Sequence, residues 1–159
     1  MQKITSFTID HLRLQTGLYV SRVDTAGQQA ITTFDIRMTR PNTEPVMDTA
    51  AVHALEHLGA TWLRNNPDWQ DKILYFGPMG CRTGFYLLLA GAYTSRDVLD
   101  LIDGMFRFVA AYEGEIPGAA AKDCGNYLDL NLDMAKYYAR KYIREVLDHP
   151  TDDRLNYPE

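Results

Sequence analysis

The segment His53-Ala54-Leu55-Glu56-His57 lies inside a stretch of helical period and decides how the rest of the chain is interpreted. Asp48 can cap a helix that runs to about Asn65. Two histidines at positions i and i+4 of a helix project from the same face, so both imidazoles can reach one metal ion, with Glu56 beside it. The apolar positions of this helix are Val52, Leu55, Leu58 and Trp62.

The His-x-x-Glu-His spacing is a known metal-site pattern, the inverted zincin motif. It can arise by chance on a solvated helix face, but the chain has only four histidines and two of them take this spacing around an acid. A third ligand must come from elsewhere, and Cys124 is the best candidate because a thiolate is a soft, charged ligand. Gly125 beside it lets the backbone approach an ion closely. The alternative is that Cys124 is an ordinary free thiol.

Cys81 is the second residue that suggests chemistry. It follows the turn Gly77-Pro78-Met79-Gly80 and precedes Arg82. A nearby cation or metal ion favours the thiolate form, which can act as a nucleophile or a general base. An equally open alternative is a small core residue at the start of a strand.

Four strands are predicted around these motifs. Two of them, Gly17 to Val23 and Ala30 to Met38, are joined by a turn at Asp24-Thr25-Ala26-Gly27. The other two cover Lys72 to Phe76 and Gly84 to Ala92.

The second strand alternates in polarity, which predicts one buried and one polar face. Phe34, Ile36 and Met38 are expected to face the core. Asp35 and Arg37 are expected to face a wet or functional surface.

Two further helices and a loop complete the expected fold. Thr94 and Asp97 resemble a capping box that opens a helix from Ser95 to about Tyr112, and another helix covers Leu130 to about Leu147. A Gly/Pro/Ala-rich loop between them carries Cys124, and residues 148–159 form a charged tail that frays. We therefore expect one α+β domain over residues 1–159, a mostly antiparallel four-stranded sheet packed by helices on one face.

Bulk composition excludes several classes of protein. A chain of 159 residues with a net charge of −5 argues against a general nucleic-acid binder. No apolar run is long enough for a signal peptide or a membrane span, so we expect a cytoplasmic protein. In that compartment Cys81 and Cys124 stay reduced, which favours metal or catalytic roles over a disulfide.

Taken together, the motifs resemble the S-ribosylhomocysteine lyase (LuxS) family, which makes the precursor of autoinducer-2. Each segment alone is weak, but they fall in order from about residue 4 to 145, and the combination is very specific. The matching segments are Ser6-Phe7, Asp10-His11, Thr33-Phe34-Asp35-Ile36-Arg37, Arg40-Pro41-Asn42, His53-Ala54-Leu55-Glu56-His57, Pro78-Met79-Gly80-Cys81-Arg82-Thr83-Gly84-Phe85-Tyr86, Ile116-Pro117-Gly118 and Cys124-Gly125-Asn126-Tyr127.

The resemblance implies an α+β homodimer that cleaves S-ribosylhomocysteine at two active sites on the subunit interface. It implies one divalent ion per subunit, natively Fe(II), with Zn(II) or Co(II) in purified material. The metal ligands it implies are His53, His57 and Cys124, and the acid/base pair it implies is Glu56 and Cys81. The substrate contacts it implies are Ser6 and His11 from the partner subunit, Arg37, Phe76 and Gly125.

One position departs from the family pattern. Members commonly carry an Asp six residues before the turn cysteine, and this chain has Tyr75 there.

Two other functions stay open from the residues alone. An inverted-zincin metallopeptidase would use Glu113 or Glu115 as its third ligand, and a metal-stabilised binding module would need a closed set of four ligands.

Overall fold

A four-stranded antiparallel sheet forms the centre of the fold in the computed structural model, which describes residues 1–158. The strands lie in the order β1-β2-β4-β3. Their bounds are Gly17–Ala26 (β1), Gln29–Arg37 (β2), Ile73–Pro78 (β3) and Gly84–Ala90 (β4). The predicted four-stranded antiparallel sheet is therefore confirmed.

The three long helices pack against one face of this sheet, as predicted. Asp48 accepts a hydrogen bond from the backbone N–H of Ala51 at 2.9 Å and so caps the first helix, as its sequence position indicates. The helices are Thr49–Arg64 (α1), Leu99–Ala111 (α2), Leu132–Tyr142 (α3) and the short Asp152–Leu155 (α4). Single 3₁₀ turns cover Thr5–Phe7, Gln70–Lys72 and Arg96–Val98, and a π-helical turn, Ile143–Leu147, extends α3.

The apolar face of the sheet and the inner faces of α1, α2 and α3 enclose one core. Phe34, Ile36 and Met38 are at most 1% exposed, which confirms their predicted orientation. The ring of Phe106 on α2 lies 4.5 Å from that of Tyr142 on α3. The Tyr142 hydroxyl donates a buried hydrogen bond of 2.8 Å to the carbonyl oxygen of Gly17, which ties α3 to the start of β1.

The opposite face of the sheet differs from the expectation. Asp35 and Arg37 are only 1% and 3% exposed, so this part of the face is not wet. They form a buried ion pair with an N–O distance of 2.6 Å. Alternating polarity therefore identified the second face correctly, but that face is covered as well.

The cover is the C-terminal segment that we expected to fray. Arg154 donates to the carbonyl oxygen of Thr16 at 2.8 Å, and Leu155 is 3% exposed. The ring of Tyr157 stacks on that of Tyr19, with 4.7 Å between the centroids. Residues 151–157 are therefore packed along β1, because their aromatic, apolar and guanidinium side chains find partners there that a charge count does not reveal.

Element boundaries shift by a few residues from those predicted. β1 extends to Ala26, and the turn begins at Gly27, whose φ of +64° suits glycine. The predicted capping box is confirmed, since the Thr94 N–H donates to Asp97 at 2.7 Å and the Asp97 N–H donates to Thr94 at 3.3 Å. No helix within residues 1–158 is long and apolar enough to cross a membrane.

Replacement of Tyr142 by Phe is expected to reduce the free energy of unfolding by about 1–2 kcal/mol, because it leaves the buried Gly17 carbonyl without its donor. Urea denaturation measures the change. Tyr112→Phe is a suitable control because its hydroxyl bonds at the surface, to the Glu115 carbonyl oxygen. Equal stability of the Tyr142→Phe variant and the unaltered protein would contradict this account of the α3–β1 contact.

Candidate metal centre and thiol cavity

Three potential metal ligands converge on one side of α1. His53 and His57 lie one turn apart, and Cys124 approaches them from the loop before α3. One ligand atom from each residue lies within 4.8 Å of the other two. The Cys124 sulfur is 3.4 Å from His53 Nε2. All three side chains are half-buried, so a ligand from solvent retains access to the group.

Backbone carbonyl oxygens orient both imidazoles. His53 Nδ1 lies 2.8 Å from the Asp129 carbonyl oxygen, and His57 Nδ1 lies 2.7 Å from that of Pro117. Because a carbonyl oxygen only accepts, each Nδ1 carries a proton, which leaves Nε2 as the ring nitrogen that can bind a metal. A metal-binding histidine usually donates its other ring N–H to such an oxygen, which fixes the orientation of the ring.

The loop that carries Cys124 is shaped to bring its sulfur to the helix. The Cys124 N–H donates to the Ala120 carbonyl oxygen at 3.0 Å, and the Asn126 N–H points at the sulfur at 3.4 Å. Gly118 has a φ of +76°, and a Cβ there would lie 3.2 Å from His57 Nδ1. The loop therefore needs glycine where it passes the second imidazole.

These observations fit a divalent transition metal. Two imidazole nitrogens and a thiolate suit such an ion and leave one tetrahedral position for a substrate oxygen or water. Glu56 lines the same cavity as the three ligands, as does Gly125. The sequence predicted this grouping, although it gave no sign of the carbonyl partners.

Cys81 lies in a different cavity, at the turn that joins β3 to β4. The Met79 N–H donates a hydrogen bond of 2.9 Å to the Gly84 carbonyl oxygen, which closes this turn. Cys81 is exposed there and is not in a disulfide. The cavity brings together four residues predicted for the active site: Cys81, Arg37, Ser6 and His11.

Arg37 is connected to the thiol through one hydroxyl. Its Nη1 donates to Thr83 Oγ1 at 2.6 Å, and that oxygen lies 3.1 Å from the Cys81 sulfur. Burial lowers the pKa of Arg37, whereas Asp35 and, more weakly, Cys81 raise it, and the net shift is upward. The sequence suggested Arg82 as the neighbouring cation. The structure provides Arg37 through Thr83, a link that the spacing of residues along the chain does not reveal.

Two further positions singled out from the sequence lie elsewhere. Phe76 is 6% exposed, and its ring stacks on Phe85 in the core at 5.0 Å. A substrate contact at Phe76 would therefore involve its main chain. Tyr75 is 47% exposed on β3, and its ring lies across Gly77.

The site residues thus form two groups on one chain. The metal group holds His53, His57, Cys124 and Glu56, and the thiol group holds Cys81, Arg37, Ser6 and His11. The two groups line separate cavities. Any chemistry that needs both a metal ion and the Cys81 thiol must bring these cavities together.

Comparisons with known proteins give the chain its family. A family model described as S-ribosylhomocysteinase (LuxS) matches residues 4–153. The S-ribosylhomocysteine lyase of Clostridium acetobutylicum is 62% identical over 159 residues, which cover all of both chains. That of Clostridium beijerinckii is 60% identical over 99% of each chain, and that of Porphyromonas gingivalis is 55% identical over the whole of both. The chain belongs to the S-ribosylhomocysteinase (LuxS) family.

Proposed function

We propose that this protein is an S-ribosylhomocysteine lyase that releases homocysteine and 4,5-dihydroxy-2,3-pentanedione. The observation that carries the proposal is the convergence of His53, His57 and Cys124, with Glu56 beside them, in a chain whose full-length relatives bear that name. A metallopeptidase of the inverted-zincin type would need Glu113 or Glu115 as a ligand. Among the described residues the converging group contains Cys124 in their place.

The reaction needs proton transfers rather than a redox cofactor. A thioether next to an unactivated carbon does not break readily. The sugar carbonyl must first move from C1 to C2 and then to C3, each step passing through an enediolate. With the ketone at C3, loss of the C4 proton expels the C5 sulfur as a thiolate and forms an enol with a C4–C5 double bond. The thiolate takes up a proton to give homocysteine, and the enol takes up a proton at C5 and loses its hydroxyl proton to give the dione.

The residues of the two groups suit these steps. A divalent ion bound by His53, His57 and Cys124 supplies a Lewis acid for the sugar oxygens. The Cys81 thiolate takes a proton from one carbon and returns it to the next, and Glu56 moves protons among the oxygens. Arg37, Ser6 and His11 surround the thiol and bind the substrate.

We further propose that the active site is completed by a second copy of the chain. The acid/base pair is divided between two cavities, so the metal group of one copy must meet the thiol group of the other. Exposed apolar side chains flank both cavities, as a subunit interface requires. Phe7 and Val46 line the thiol cavity, Leu12 follows His11 in the sequence, and Tyr127 and Leu128 follow Cys124 in its loop.

The bound ion is proposed to be Fe(II) in the cell, with Zn(II) or Co(II) able to replace it. Two imidazoles and one thiolate accept all three ions, and metal availability then decides which one is bound. The family resemblance implies iron.

Both cysteines are free thiols, which agrees with a function in the reducing cytoplasm.

Replacement of Cys124 by Ala is expected to abolish both activity and tight metal binding, since two imidazoles remain and about three ligands are needed for a catalytic site. Elemental analysis of anaerobically purified protein measures the metal, and a thiol reagent measures homocysteine release. A Cys124→Ala protein that keeps its full metal content would show that the thiolate is not a ligand.

Replacement of Cys81 by Ala is expected to lower turnover by at least about a hundredfold, the typical contribution of a general base, while metal content stays unchanged. The two cysteine variants thus act as controls for each other. Normal homocysteine release by Cys81→Ala would reject Cys81 as the base. No release by the unaltered, metal-loaded protein would reject the proposed reaction.

Mixing two inactive variants tests whether the site is shared between copies. In a dimer of Cys81→Ala with Glu56→Gln, one site carries both changes and the other carries neither. Random exchange should restore about a quarter of normal activity, because half of the dimers are mixed and each has one intact site. Cys81→Ala mixed with Arg37→Ala should stay inactive, because both changes lie in the thiol group. Absence of recovery in the first mixture after proven subunit exchange would exclude the shared site.

A further inference from the structure

A continuous chain of hydrogen bonds leads from the C-terminal segment to the Cys81 thiol. Tyr157 Oη donates to Asp35 Oδ2 at 2.8 Å. Arg37 donates to both carboxylate oxygens of Asp35, at 3.1 Å and 2.6 Å, and to Thr83 Oγ1 at 2.6 Å. Thr83 Oγ1 lies 3.1 Å from the Cys81 sulfur.

Donor counting fixes the direction of the last bond when Cys81 is ionised. The guanidinium of Arg37 has donors only, so Thr83 accepts from it and keeps its own proton for another partner. A thiolate only accepts, so the Thr83 hydroxyl donates to the sulfur. Hydrogen bonds to a charged acceptor are the stronger kind, and a donor already polarised by a cation strengthens them further.

We propose that Asp35 and Tyr157 are positioning residues that hold the Arg37 guanidinium against Thr83 and thereby direct the Thr83 hydroxyl to the Cys81 sulfur. This inference rests on the proposed function, in which Cys81 acts as the thiolate base. It adds a role for the C-terminal segment and for Thr83, neither of which belongs to the metal group.

The carboxylate of Asp35 is what fixes the guanidinium plane. Two parallel bonds from Arg37 to one carboxylate leave a single orientation, in which the remaining Nη1 points at Thr83. A Lys could not do this, since an ammonium carries no planar fork.

Tyr157 in turn holds Asp35. Burial, and next the charge of Asp35, raise the pKa of Tyr157, so the hydroxyl keeps its proton and stays a donor. Stacking on Tyr19 anchors the ring independently of that hydroxyl. The hydroxyl can therefore be removed without displacing the segment.

Two of the other ionisable groups around the thiol cavity have partners of their own. His11 Nδ1 lies 2.9 Å from the Ile9 carbonyl oxygen, and Glu44 forms an ion pair with Lys141 at 3.2 Å. Tyr86 lines the cavity from β4, and Arg82 adjoins Cys81 in the turn. Among the described residues, the hydrogen-bond partner of the sulfur itself is Thr83.

The first test measures how fast iodoacetamide alkylates Cys81 in the metal-loaded unaltered protein and in metal-loaded variants. Mass spectrometry of the peptide that contains Cys81 gives the rate. Thr83→Val should slow alkylation at neutral pH by about tenfold, because a charge-assisted hydrogen bond to the thiolate is lost. Thr83→Ser should restore the normal rate.

Thr33→Val is the matched control. Thr33, on β2, is buried as Thr83 is, but its hydroxyl has no partner among the described residues. It should leave alkylation unchanged. Equal rates for Thr83→Val and Thr33→Val would overturn the role of Thr83.

The second test addresses the positioning residues. Tyr157→Phe and Asp35→Asn should each slow alkylation of Cys81 by about two- to fivefold, a smaller effect because they act through Arg37. Tyr142→Phe provides the control for simple destabilisation: it loses a buried hydroxyl bond but does not hydrogen-bond to the network. Should Asp35→Asn fail to fold, Tyr157→Phe alone decides the question, because its ring stacking remains.

Normal alkylation in Tyr157→Phe would overturn the proposal, as would equal slowing in Tyr142→Phe. Alkylation requires no substrate, so these results do not depend on the proposed reaction. Slowed alkylation together with no cleavage by the unaltered protein would reject the lyase function and leave the positioning network standing.

Discussion

The buried pair of Asp35 and Arg37 is the constraint on which the second face of the sheet depends. Removing two charges from water costs several kcal/mol per ion, and only good geometry and further hydrogen bonds offset it. Here Arg37 donates a further hydrogen bond to Thr83, and Asp35 accepts one from Tyr157. The pair therefore requires a cover. The C-terminal segment provides it and is bound to β2 through the hydrogen bond from Tyr157 to Asp35. One face of the sheet is held by apolar packing, and the other by hydrogen bonds, an ion pair and the stacking of Tyr157 on Tyr19.

The sequence predicted the parts of the site that lie within one element. His53, Glu56 and His57 share a helix whose period and cap are visible in the residue order. Phe34 and Ile36 likewise follow from strand alternation. Cys124 could be selected as the third ligand by its chemistry, because a reduced thiolate is a ligand of the right kind for two imidazoles.

What the sequence did not predict are contacts across long separations and contacts made by the backbone. Asp35 alternates with apolar residues in the same way whether its face is wet or covered, and the cover comes from Tyr157. The carbonyl oxygens of Pro117 and Asp129 orient the imidazoles, yet any residue could supply a carbonyl oxygen. The partners of Cys81 required knowledge of which strand lies beside the turn.

The separation of the two groups has a physical reason. The metal group lies on α1 and on the loop before α3, the thiol group lies at the β3–β4 turn and the end of β2, and backbone hydrogen bonds hold each of them. Two rigid halves that meet across a two-fold axis produce two identical sites from one contact surface. In the dimer that we propose, catalysis would depend on assembly, since a lone chain carries all the reactive groups but in separate cavities.

The bond between Tyr157 and Asp35 also bears on the order in which the chain folds. It joins residues 122 positions apart, whereas β1 and β2 pair through a short turn. Contacts of low sequence separation form first because they close small loops, and a contact of this span forms only after most of the chain is in place. Arg37 can therefore belong to a formed hairpin well before its guanidinium is fixed. The Cys81 thiol then acquires its full reactivity at the end of folding, so Cys81 is less reactive in a partly folded chain than in the folded enzyme.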